Sequence, residues 1–179
     1  DLASSATIYL GGFVSAIEAA AANAKNLGAQ NGDKLTIATN NKISASASAT
    51  AEADGLAQLD ADIAVVTQKD GKITSCIIDS VQAKIGFDAT GKITADLTAP
   101  IETKNELGAD YGMVAWGGAI AEWNEQAASF AAYVTGKTAA EVAGIAINEA
   151  TKPADGSDLA SSVTIAIGGF QALIAKALA

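Results

Sequence analysis

Two threonines raise the first chemical question. The chain opens with Asp1-Leu-Ala-Ser-Ser-Ala-Thr-Ile-Tyr-Leu-Gly-Gly-Phe13 and nears its end with Asp158-Leu-Ala-Ser-Ser-Val-Thr-Ile-Ala-Ile-Gly-Gly-Phe170. The two copies differ only at the pairs Ala6/Val163, Tyr9/Ala166 and Leu10/Ile167. Each sets a Thr hydroxyl, Thr7 or Thr164, just ahead of a Gly-Gly pair and an Ala-rich helical stretch. A helix N-terminus presents free N–H groups and the positive end of a dipole, so it favours phosphate. Paired glycines let the backbone come close to such a group. The plainer reading is that Thr164, in Val163-Thr-Ile-Ala-Ile167, is an outward residue on a strand, a place that Thr favours.

Other residue types narrow the chemistry. The chain of 179 residues has no His and a single Cys, Cys76. That excludes a His general base, a Ser-His-Asp triad, a His metal ligand, an intrachain disulfide and a thiolate metal cluster. Cys76 reads as a small core residue on a strand. The acidic pairs Asp60/Asp62 and Glu122/Glu125 lack the loop spacing of a cation site. A loop at 101–118 gathers Lys104, Tyr111, Met113 and Trp116, and loops of this length are often functional. Tyr111 and Trp116 are the candidates for stacking on a planar ligand. Trp123 falls on a helical apolar stripe and reads as core.

Composition supports the same exclusions. The formal net charge is −9, with eleven Lys and no Arg. Such a chain lacks the basic patch that nucleic acid or an anionic membrane would need. No stretch approaches the roughly 20 apolar residues of a spanning helix. Half of the residues are hydrophobic and only 5% aromatic, so the core must be built mainly from small side chains.

The elements that must position these residues follow from periodicity and punctuation. Residues 1–10 alternate as a short extended segment. A helix is expected at 12–27, ended by Gly28. Strands are expected at 35–39, at the Ser/Ala alternation of 43–52 (a low-complexity linker being the alternative), at 57–67, at 72–83 and at 92–98. Asp70-Gly71 is a two-residue hairpin signal. Trp123, Ala127, Phe130, Ala131 and Val134 form one stripe of a helix at 120–135, with Glu122, Glu125 and Gln126 mostly off it. Thr138-Ala-Ala-Glu141 has capping-box spacing. A last helix spans 169–178. The expected fold is α+β, an antiparallel meander of about five strands with helices packed on one side. Residues 1–28 read as the C-terminal segment of a preceding repeat and 29–179 as one complete domain.

The arrangement resembles the FMN-binding domain family, in which an Asp-x-x-Ser/Thr-Gly-Ala-Thr segment precedes a helix and FMN is joined to the Thr by a phosphoester. The likeness extends over roughly 57–179, through Asp70-Gly-Lys-Ile-Thr74, Asn105 to Met113, Glu122 to Lys137 and Phe170 to Lys176. It implies Thr7 or Thr164 as acceptor, with Asp1 or Asp158 and Ser4 or Ser161 as the motif's other members. Where the family has Gly and Ala, the first copy has Ser5 and Ala6 and the second has Ser162 and Val163. The resemblance further implies an exported electron-transfer module carrying FMN and meeting a redox partner outside the cytoplasm, at the cell surface or secreted. The competing expectation is a structural or adhesive surface repeat that keeps this fold without flavin and associates head-to-tail with other copies.

Overall fold

The computed structural model describes residues 5–179; Asp1 and Ser4 of the first motif lie outside them. The described residues form an α+β fold with one three-stranded antiparallel sheet, in the order β1-β2-β3, and six α-helices. The strands are β1 (Lys34–Lys42), β2 (Gly55–Lys69) and β3 (Lys72–Phe87). The helices are α1 (Gly11–Ala22), α2 (Lys104–Leu107), α3 (Met113–Gly117), α4 (Trp123–Val134), α5 (Ala139–Ala143) and α6 (Gly168–Leu178).

The hairpin between β2 and β3 turns where its sequence demands. Asp70 and Gly71 both take positive φ, 52° and 75°, the twist that matches the flanking strands. Register places Ala38 beside Ala64, Ala64 beside Ile78, and Val66 beside Cys76. All five are buried, on the face that receives α4 and α6. Leu35, Ile37 and Ile77 point to the other face and are exposed.

Helix α4 carries the expected stripe. Trp123, Ala127, Phe130, Ala131 and Val134 are all buried. Phe170 of α6 meets Trp123 edge-on at 5.8 Å and Phe130 at 5.6 Å between ring centroids. Val163, Ile167, Leu173 and Ile174 complete this core. The capping box at Thr138 forms as read: Glu141 N–H donates to the Thr138 hydroxyl and Thr138 N–H to the Glu141 carboxylate. Val142, one turn in, is fully buried.

The meander stops at three strands. The Ser/Ala alternation of 43–52 is exposed and makes a single bridge, Ala47 with Leu56. Its side chains are too small to bury the area that holds a strand in place. Residues 92–98 likewise make one bridge, Ile93 with Phe87. The loop at 101–118 is mostly helical, because Thr103 and Glu106 form a capping box and Gly112 and Gly118 take left-handed φ at the two ends of α3. Among the described residues of 1–10 there is no strand.

Helix α1 ends at Ala22, not at Gly28. Gly28 serves the sheet instead. Its φ is +111°, and a Cβ there would sit 2.6 Å from the Thr74 carbonyl oxygen. The following turn is tied down by Asp33, whose Oδ2 accepts from the Thr74 hydroxyl at 2.6 Å and from Gln30 N–H at 2.9 Å. These donors hold the Asp33 carboxyl below its ordinary value of 3.8, the Thr74 hydroxyl most of all.

Candidate functional site

The segment that carries Thr164 is not a strand. Asp158–Ser161 is a 3-10 turn, capped by the Ser157 hydroxyl, and 163–167 is irregular chain leading into α6. Irregular backbone leaves N–H groups without ladder partners, and a buried one must be satisfied by something. Gln126 of α4 does this. Its Oε1 accepts from Thr164 N–H at 2.7 Å, Ile165 N–H at 3.2 Å and the Thr164 hydroxyl at 3.2 Å. Its Nε2 donates to the Ala121 carbonyl at 2.8 Å. Gln126 is fully buried, so one amide fixes the motif against the core.

This geometry bears directly on a phosphoester at Thr164. Esterification would remove the hydroxyl proton that Thr164 donates. It would also set a phosphate against the Gln126 carbonyl oxygen, acceptor facing acceptor. The residues present around Thr164 therefore do not fit the group. The other members of this copy are apart from it. Asp158 is exposed at the start of the 3-10 turn, and the exposed Ser161 hydroxyl donates back to the Asp158 carbonyl at 2.7 Å.

Thr7 stands in the first copy, exposed, four residues ahead of α1. Every residue of α1 is exposed. Phe13 and Ile17 are 58% and 70% exposed, whereas their counterparts Phe170 and Ile174 are 5% and 0%. One local sequence thus exists in two environments within one molecule.

Tyr111 and Trp116 are also separated. Tyr111 is half-buried in a 3-10 turn (Gly108–Tyr111), its hydroxyl donating to Gln82 Oε1 at 3.3 Å. Trp116 is 90% exposed and lies across Gly112, where a Cβ would fall 2.3 Å from the indole. Among the described residues no hydrogen bond or ring contact joins Thr164, Tyr111 and Trp116.

A polar pocket of about 300 Å³ does form, lined by Gln82, Lys84, Lys104, Asp110 and Tyr111 among others. Lys104 is its best-held charge. Its ammonium lies 4.8 Å from the Tyr111 ring centroid and 4.9 Å from that of Trp123, a cation between two rings. Below it, Asp60 accepts from Gln82 and Gln58, both at 2.8 Å. Gln82 chiefly, then Gln58 and the nearby Lys104 and Lys84, hold the Asp60 carboxyl below its ordinary value. Gln82 thus links the Tyr111 hydroxyl to the Asp60 carboxylate.

Glu122 and Gln126 were expected mostly off the apolar stripe, yet both are buried. The Glu122 carboxylate accepts from Met113 N–H at 2.8 Å and Val114 N–H at 2.9 Å, capping α3 from the position just ahead of α4. A signal existed: Gln126 lies three residues after Trp123 and four before Phe130, on the same face. Cys76 is buried, and burial pushes its thiol up to about 12, so it stays protonated and inert. Among the described residues no cluster of acidic or Cys side chains is placed to hold a metal, and no helix is long and apolar enough to cross a membrane.

No protein-family model, curated protein or solved structure matches this chain.

Proposed function

We propose that the protein is a structural unit of an extracytoplasmic repeat array, joined head-to-tail because the segment that closes one unit's core is carried on the neighbouring unit's N-terminal side. The observation that carries this is the contrast between the two copies. Residues 158–179 close the core of the unit formed by 29–179. Residues 11–22 repeat its helix, and none of them is buried. A 12-residue helix exposed all round is marginal in water by itself. Burying Phe13, Val14 and Ile17 would supply roughly 2 kcal/mol each. The seat suited to them is another unit's equivalent of the place that α6 fills here.

Hydrogen exchange tests the reading. In a longer natural protein containing an adjoining unit, the amides of 11–22 should be protected to the same degree as those of α6. Exchange at free-helix rates in that longer protein would overturn it.

A second reading keeps the flavin. It is favoured by one observation, the exposure of the Thr7 hydroxyl just ahead of α1, where a modifying transferase has access. On this reading the module carries FMN on Thr7 and passes electrons to a redox partner. Protein from the native source should then carry the mass of an FMN phosphoester, lost in Thr7→Ala and kept in Thr164→Ala. An unmodified mass from that source excludes it.

A further inference from the structure

We infer that the seat for the closing segment is selective: this unit accepts residues 158–179 and discriminates against residues 5–22, so each unit of the array takes only its own helix. The inference rests on the array reading and adds to it the rule by which neighbours are matched.

The two segments share the residues that any such seat would hold. Thr7/Thr164, Ile8/Ile165, the Gly-Gly pair, Phe13/Phe170, Ile17/Ile174 and Ala20/Ala177 are identical. In the second copy Phe170, Ile174 and Ala177 lie in the core, Ile165 packs against it, and the half-buried Thr164 is bonded to Gln126. The differences fall on the contacts that read identity. Gln171 is buried and its Nε2 donates to the carbonyls of Val142 at 2.9 Å, within α5, and Ile145 at 3.0 Å, just beyond it. Its counterpart, Val14, has no donor. Seated here, Val14 would leave the Ile145 carbonyl without the amide and the Val142 carbonyl with the Ile145 N–H alone, at the cost of a lost polar partner. Leu173 is 1% exposed, and its counterpart is Ala16. Seated here, Ala16 would open a cavity beside Ile174. Val163 is fully buried where the first copy has Ala6. Lys176 donates to the Thr39 carbonyl at 2.8 Å where the first copy has Ala19.

Every one of these changes makes residues 5–22 fit this seat worse. The same changes describe the seat that fits them. It has the pocket for Phe13 and Ile17 and an acceptor for the Thr7 backbone, as Gln126 is here. Its carbonyls near position 14 are paired within their own unit, and a bulkier side chain fills the space opposite Ala16. Discrimination of this kind keeps units in sequence order and suppresses exchange of helices between units that differ in sequence.

The test is made on the full chain. A variant carrying Val163→Ala, Gln171→Val and Leu173→Ala should fold with an equilibrium constant lower by at least roughly a hundredfold. Restoring only Gln171 and Leu173 should recover most of that loss. Synthetic peptides of residues 5–22 and the equivalent 162–179, offered during refolding of the triple variant, should be taken up with at least a tenfold preference for 162–179. A triple variant as stable as the parent overturns the inference. So does a restoration that recovers nothing, or uptake without preference, whether both peptides enter or neither. None of these outcomes touches the protection of 11–22 in a longer protein, on which the array reading stands.

Discussion

Residues 5–22 and 158–179 set the same local sequence in two surroundings. Both form a helix that begins at a Gly-Gly pair, and neither has a side-chain cap at its start. Local sequence is thus sufficient to propose the helix in each place. What differs is everything that gives a helix its stability in a protein. The second copy buries one face against α4, α5 and the sheet, and has its entry segment held by Gln126. Helix α1 of the first buries no residue. The comparison separates helix propensity, which the two share, from tertiary packing, which only one possesses.

The sharpest way to break the comparison is to truncate matched residues. Phe170→Ala removes a ring packed on Trp123 and Phe130 and should cost about 3–5 kcal/mol in denaturant unfolding. Phe13→Ala, at the equivalent exposed position, should stay within about 0.5 kcal/mol. Similar losses at the two positions would mean that the first copy is packed in solution.

Next in size is the hold on the motif. Gln126→Leu leaves the Thr164 and Ile165 N–H groups and the Ala121 carbonyl without their partner, at a cost of about 2–3 kcal/mol. Hydrogen exchange should quicken at Thr164 and Ile165 and stay unchanged through 5–22. A smaller change is Thr164→Val, which deletes one hydroxyl hydrogen bond and should cost about 1 kcal/mol, against nothing measurable for Thr7→Val.

Acid sharpens the comparison most gently. Asp33 and Asp60 both titrate below their ordinary 3.8, held down first by Thr74 and by Gln82 respectively. A depressed folded value means the stabilisation is full above the unfolded value and disappears as pH falls through the folded one. Stability should therefore decline below about pH 4. As the sheet loosens, exchange in α6 should approach that of α1. Asp60→Asn should flatten the slope of stability against pH in that window; an unchanged slope would remove Asp60 from the account.

Much of the fold was legible because it depends on short-range chemistry. The Asp70-Gly71 turn, the stripe from Trp123 to Val134 and the Thr138/Glu141 box each follow from a few neighbouring residues. The Ser/Ala alternation of 43–52 misled because period two describes where side chains point, not whether they bury enough area to be held. The candidate site was less legible. Thr164, Tyr111 and Trp116 are separate in space, and the residues that organise their surroundings, Gln126, Gln82 and Glu122, act through contacts far apart in sequence.

The repetition itself, the two helices and the antiparallel hairpin were determined by the sequence alone, since each is written in local propensity and turn chemistry. The tertiary structure alone decided that one Thr is fastened to a buried glutamine while its twin stands in water. It also decided that one Phe is core and the other surface. The residues the two copies share cannot encode that difference; it arises from the rest of the chain, which builds one seat and fills it with the copy whose Val163, Gln171 and Leu173 are buried there.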